Sequence, residues 1–357
     1  MVVTDGKDAE RGLPEDYGVD DIPLVLQDRR VIEGDKVYQP DIMDLMHGFR
    51  GDKLIVNGVV SPEARVPVSI VRLRILNGAN ARNFHVRLSD NRPLLVIASD
   101  GGFIGKPEAV ERLTISPGER YEVLVDFSKG EAADLLTYGD DSGGDDLHLM
   151  RFVVDSTLRG KITAVPDRLD GPDAADEKLS VKRRSFFFDE RMAENMKLMM
   201  AKPPVDPHAG HNMGNMDMSS MSGAMDHDMH GARTSADAGP ALEALTSGVE
   251  MAIAGKPFDM DRIDVEAKLG SWEIWDLTTK EMPHPFHIHG ASFRILSLNG
   301  KAPPAHQSGW KDTALINGKA EILVHFDREG AKSHPFMFHC HVLEHEDVGM
   351  MAQFVTV

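Results

Sequence analysis

The sequence predicts an all-β protein of two β-sandwich or barrel domains, separated by a Met- and His-rich insert that contains one short helix. Three observations lead there. Short apolar runs recur in both outer parts of the chain, each bounded by Gly, Pro, Asn or Asp. The stretch between them is low in complexity and cannot bury enough apolar surface to order itself. The length of 357 residues suits two domains, each with its own core.

In chain order, residues 1–21 are polar and acidic and read as a linker or N-terminal tail. Residues 22–157 form the first domain, with strands expected at Ile22–Gln27, Lys53–Val56, Val68–Leu76, Leu94–Ala98 and Tyr121–Phe127. The run Ile70–Leu76 alternates apolar and basic over its middle, which suits a half-buried antiparallel strand. Turn signals such as Asn77-Gly78, Asp100-Gly101-Gly102 and Pro117-Gly118 punctuate these runs. Residues 158–247 read as a connector. Within it, 186–202 has the look of a short Met-rich helix, and 203–240 is rich in Met, His, Asp, Gly and Ser. Residues 248–357 form the second domain, with strands expected at Ser271–Leu277, Phe293–Leu298, Glu321–Phe326 and Phe336–Val342.

Composition narrows the function classes. A net charge of −18 argues against a nucleic-acid partner, because phosphate binding needs a basic surface. No stretch approaches the ~20 apolar residues that cross a bilayer, so no membrane insertion is expected. Met1–Asp21 has no apolar signal core, so the chain taken literally is cytoplasmic. The one cysteine, Cys340, excludes an internal disulfide. The 20 Met and 16 His, in contrast, are clustered.

Two segments carry the chemistry. One is His284-Pro285-Phe286-His287-Ile288-His289-Gly290. The other runs from His339-Cys340-His341 through His345 and Glu346 to Met350. A thiolate, two imidazoles and a weak axial thioether make a blue copper site. Cys340, His345 and Met350 fall as Cys-x4-His-x4-Met, the order in which a strand followed by a loop would present them. His284 is the second imidazole, from a distant strand.

Strand periodicity adds to this. Successive side chains alternate faces, so His339 and His341 point away from Cys340, and His287 and His289 share a face. One strand can then hold one copper through Cys340 while its flanking histidines serve another metal behind it. Zinc also binds His and Cys, but it leaves Met350 and the paired His-x-His segments without a role.

These two motifs resemble the C-terminal copper motifs of multicopper oxidases, and more closely those of bacterial cuprous oxidases of the CueO type. The likeness spans nearly the whole chain, including Gly18–Gln27, Asn77–Arg82, Ser89–Gly102, Gly118–Asp126 and Gly309–Asp312. It implies Greek-key cupredoxin domains, one-electron oxidation of Cu(I) or a phenol at a type 1 copper, and reduction of O2 to water at a trinuclear copper cluster. It implies that His284, Cys340, His345 and Met350 hold the type 1 copper. His287 would serve the type 2 copper, and His289, His339 and His341 the type 3 pair. Glu346 resembles the acidic residue that passes protons toward the cluster. The resemblance also implies a laccase-like role in copper homeostasis and a periplasmic location.

Ten of the twenty methionines fall between Met192 and Met229. Cu(I) is soft and prefers thioether ligands. In CueO-type enzymes a Met-rich helix binds the Cu(I) substrate, which suggests Met192, Met196, Met199, Met200 and Met282 here. For Met192–Met200, packing of the Met side chains remains an equal alternative. Lys280 stands where an acidic ligand would be expected.

The chain departs from its family in one respect. The family's cluster needs two further His-x-His pairs, whereas His47, His85 and His148 are isolated. The missing half is expected from a separate N-terminal cupredoxin domain or from a longer parent chain. Without it, the alternative function is non-enzymatic copper binding or one-electron transfer.

Overall fold

A computed structural model describes residues 5–32, 35–140, 143–191, 194, 195, 197 and 248–357. The chain builds two β-sandwiches, as the turn-punctuated runs predict, and they are cupredoxin-like, as the resemblance implies.

In the first, one sheet follows the order Val59–Val60, Lys53–Val56, Asp21–Ile32, Ile70–Asn77, Arg120–Asp126, Leu94–Ser99, Gly102–Val110, with Asp35–Val37 paired to Asp21–Ile32. The facing sheet is Leu113–Ile115, Phe84–Leu88, Ala133–Asp140, Gly143–Val154, Glu63–Val66. In the second sandwich one sheet runs Ala252–Ile253, Ser180–Asp189, Trp272–Thr278, Lys319–His325, Ser292–Leu298. Its mate runs Val265–Ala267, Met351–Thr356, Phe336–Cys340, His284–Ile288, Thr313–Ile316. Each sandwich contains parallel pairings, such as Asp21–Ile32 with Ile70–Asn77 and Ser180–Asp189 with Trp272–Thr278. These join strands distant in sequence, as Greek-key crossovers do.

Several expectations are corrected. Ile70–Asn77 is buried on both faces over its first four residues rather than half-buried. Arg72 and Arg74 point into a cluster of Asp8, Asp21 and Glu122, so the basic positions are paired rather than solvated. The N-terminal stretch is not a free tail, since Leu13 is buried with Ile70, Ile97 and Leu124. Residues 186–189, expected to start a helix, end the strand Ser180–Asp189; helical backbone appears at Glu194, Asn195 and Lys197. The parallel partner Trp272–Thr278 claims Phe186 and Phe187, and Ile253 pairs with Phe188 on the other edge, where bulky rings suit a pleated surface. The loop expected after Cys340 is a short helix, Leu343–Asp347.

The second core packs Trp275, Phe286, Phe338 and Phe354 together with Cys340 and Met350. Trp275 and Phe338 meet edge-on with centroids 5.0 Å apart, a favourable arrangement for aromatic quadrupoles. Met46 and Ala81 of the first half join this cluster. The short helices Ile42–His47 and Leu343–Asp347 face each other across the same boundary.

Candidate metal centre

The strands His284–Ile288 and Phe336–Cys340 are antiparallel neighbours, with Phe286 opposite Cys340 and His287 opposite His339. Period-two alternation sends His284 and Cys340 to one face and His287 and His339 to the other. The helix Leu343–Asp347 then turns the chain back, so that His345 returns to Cys340. Backbone bonds from Cys340 N to Met350 O (3.1 Å) and from Met350 N to His345 O (2.9 Å) hold the return.

On the first face, His284 Nδ1 lies 3.3 Å from Cys340 Sγ, Cys340 Sγ 3.6 Å from His345 Nδ1, and the two Nδ1 atoms 3.3 Å apart. All three residues, and Met350, are fully buried. The outer nitrogens decide the tautomers. His284 Nε2 meets Glu190 Oε1 at 2.7 Å and His345 Nε2 meets Met46 O at 3.2 Å. A carboxylate and a carbonyl only accept, so both rings carry their proton on Nε2. Two Nδ1 lone pairs therefore converge on one sulfur, which has at most a single proton to share between them, an arrangement that a soft cation satisfies. The donor set fits copper. Burial pushes the Cys340 thiol well above its ordinary value and holds His345 well below its own. In the metal-free protein the sulfur thus keeps its proton and the imidazole stays neutral.

On the second face, His287, His289 and His339 gather, with His289 Nε2 3.1 Å from His339 Nε2. His341, one residue beyond the strand, has its ring 5.5 Å from His287 and 5.7 Å from His339. Acceptors again stand behind the rings. His287 Nδ1 lies 3.0 Å from Asp312 O, and His339 Nδ1 lies 2.9 Å from Cys340 O. Burial lowers His287 to about 3 and His339 to about 4. Both rings are neutral at physiological pH, as ligands must be. Glu346 Oε2 sits 3.3 Å from His339 Nδ1, and burial raises its carboxyl. Gly118 of the first sandwich presses on this group, since an added Cβ would lie 2.4 Å from His341 Cδ2.

The structure thus brings together seven of the residues singled out from sequence, His284, Cys340 and His345 on one face and His287, His289, His339 and His341 on the other, and buries Met350 in the same core as Cys340. Met282 lies apart from them, half-buried, lining a cleft of about 460 Å³ with Met43 and His47. Met192, Met196, Met199 and Met200 lie outside the described residues, as does the insert at 203–240. Glu190 and the Met46 carbonyl went unnoticed in the sequence. Glu190 stands 94 residues before His284, and no local pattern marks a backbone carbonyl as an acceptor.

Family models described as multicopper oxidase match residues 234–357 and 52–134. Among curated proteins, the chain is 34% identical over 357 residues to the cell division protein FtsP of Yersinia pestis, covering all of this chain and 65% of that protein. The chain thus spans just under two thirds of the length of such relatives. Among solved structures, it is 83% identical to a laccase-like multi-copper oxidase CueO from an Ochrobactrum species, with a TM-score of 0.87, covering 100% of this chain and 71% of that one. A laccase from Pediococcus acidilactici shares 28% identity at a TM-score of 0.71, with 99% and 64% covered.

Proposed function

We propose that this chain, which belongs to the multicopper oxidase family, is the electron-accepting part of an oxidoreductase that oxidises Cu(I) or phenols and reduces O2 to water. The buried triangle of His284, Cys340 and His345, with His287 and His339 on the reverse face of the same two strands and His289 and His341 just past their ends, is the observation that carries this reading. Copper is the cofactor its family uses, and when bound it supplies one-electron redox chemistry.

The chain's own residues have separable parts in the proposal. His284, Cys340, His345 and Met350 hold the type 1 copper. His287 serves the type 2 copper, and His289, His339 and His341 the type 3 pair. Cys340 and His339 are neighbours in one strand, so a covalent path of a few bonds joins the two faces. The dry surroundings exclude water from the thiolate. Glu346, beside His339 and partly open to solvent, holds and delivers protons. A further cupredoxin domain, on a longer chain or a partner, supplies the remaining cluster ligands. The CueO and laccase names of its structural relatives favour Cu(I) and phenolic reductants, and a role in copper tolerance in the periplasm follows from the same resemblance.

The test is oxygen uptake by copper-loaded protein given Cu(I) or a phenol, with and without a supplied N-terminal domain. Uptake is expected with the domain present and is lost in Cys340→Ser. If blue colour develops but no domain ever yields uptake, the oxidase reading fails, and the chain is a copper-binding or electron-transfer protein.

A further inference from the structure

We propose that Lys311 is a positioning residue for the second face: its buried ammonium fixes where His287 and His341 stand relative to each other, and metal capture by that face depends on it. The proposal rests on the reading of these rings as copper ligands.

Lys311 belongs to the second sandwich, where its backbone exchanges hydrogen bonds with Phe293 at 2.7 and 2.9 Å. Its side chain reaches into the first sandwich and is 0% exposed. An ammonium has three N–H donors, and three acceptors surround this one. They are Asp100 Oδ2 at 3.0 Å, Glu119 Oε1 at 3.1 Å and the Tyr121 hydroxyl at 3.4 Å. All three come from the first sandwich, and their side chains are buried too. A charge this far from water is tolerated only where its partners are complete. The ammonium therefore has one place to stand.

Each carboxylate carries that position to a different ring. Asp100 accepts from Arg120 N at 2.8 Å and from the backbone N–H groups of Asp312 and Thr313 at 3.4 and 3.3 Å. Those last two residues hold the first ring, with Asp312 O and Thr313 Oγ1 at 3.0 and 2.9 Å from His287 Nδ1. Glu119 serves the other arm. Its Oε2 accepts from Ser116 N at 2.7 Å and Ser116 Oγ at 2.8 Å, and its own N–H donates to Ser116 O at 3.0 Å. These bonds close the turn Ser116-Pro117-Gly118-Glu119, whose Gly118 packs against the His341 ring.

One ammonium thus stands between two arms that end on His287 and His341, whose rings are 5.5 Å apart. The first face is independent of it, since His284 and His345 rest on Glu190 and the Met46 carbonyl. Metal sites need their ligands within about 0.5 Å of the productive geometry. Loss of a group that orients ligands costs about 10–100-fold in metal affinity. In Lys311→Met the ammonium is gone and Asp100 and Glu119 repel each other, so the two arms move apart.

The experiment compares wild type, Lys311→Met and Glu119→Gln, each metal-free and titrated with Cu(II). The blue band reads the first face, and the EPR signal of non-blue Cu(II) on imidazoles reads the second. In Lys311→Met the blue band should persist while second-face affinity falls by about tenfold or more. In the metal-free protein the ring-to-ring NOE between His287 and His341 should weaken. The NOE between His284 and His345, with ring centroids 5.1 Å apart, should stay. Unchanged second-face affinity and NOE in a folded Lys311→Met overturn the proposal, and so does an equal loss on both faces, the mark of general destabilisation. If Lys311→Met does not fold, Glu119→Gln carries the same test, because it keeps an acceptor for Ser116 and loses the charge. Its second-face affinity should also fall, and an unchanged value overturns the proposal. A wild type that takes copper on the first face alone refutes instead the reading of the four histidines as ligands, and the proposal with it.

Discussion

The ammonium of Lys311 lies 3.0 Å from the carboxylate of Asp100, and both side chains are fully buried where the two sandwiches meet. Glu119 closes the group at 3.1 Å, and Arg120 beside it forms a paired bond to Asp312 at 2.6 and 2.7 Å. Asp312 in turn accepts from His287 through its backbone carbonyl. The ligand strand is thereby tied to the first sandwich by buried charge rather than by apolar contact alone.

Removing the cation should therefore cost much more than a surface ion pair. In Lys311→Met, Asp100 and Glu119 remain buried without their partner, and a loss of about 3–5 kcal/mol is expected. Urea denaturation of the metal-free protein measures it. A loss below about 1 kcal/mol, the range of exposed pairs, would contradict the buried assignment.

Gly118 sets a second expectation. Its φ is +82° and an added Cβ would collide with the His341 ring. Gly118→Ala should displace His341 and cost on the order of 1–3 kcal/mol in backbone strain alone. The blue site, on the other face, should survive. Copper stoichiometry would then drop while the blue absorption persists; equal loss of both would show that the two faces are not separable.

The depressed histidines predict an acid-sensitive metal-free protein. His287 titrates near 3 and His339 near 4 when folded, against an ordinary 6.5. From about pH 6.5 down to about pH 4 for His339 and about pH 3 for His287, the unfolded chain holds protons that these folded imidazoles refuse, so stability falls as pH falls. Denaturant midpoints across that window should decline, and less steeply in His339→Gln. A flat profile would mean the rings are solvated in the absence of metal.

Glu344 offers a test of the seam beside His345. It is fully buried and accepts from Phe49 N at 2.9 Å, Asn80 Nδ2 at 2.9 Å and Tyr38 OH at 3.1 Å, all from the first sandwich. Glu344→Leu leaves these donors unsatisfied and should destabilise by about 1–3 kcal/mol or more. Its neighbour His345 should move with the helix, so the blue band should shift or weaken. A stable variant with an unaltered spectrum would show that the seam does not position His345.

Much of this was legible in the order of residues. Period-two alternation separates His284 and Cys340 from His287 and His339 before any coordinates exist, because a strand leaves a side chain no other choice of face. The spacing of Cys340, His345 and Met350, with a distant His-x-x-His-x-His, is specific enough to point to the family. Turn residues placed strand ends to within a few positions, as at Lys53–Val56 and Leu94–Ser99. The methionines farther on suggest a helix over the Phe186–Phe188 run, whereas the pairing that makes it a strand comes from Trp272–Thr278 and Ala252–Ile253, distant in sequence.

Donor type and strand parity are local properties, so the order of residues already shows which atoms could bind copper. What stands behind those atoms depends on packing: Glu190 against His284, the Met46 carbonyl against His345, and Asp312 against His287. Those partners stand 25 to 299 residues away in the chain, two of them acting through backbone carbonyls. Every residue carries a backbone carbonyl, so only the packed chain can say which one a ligand meets.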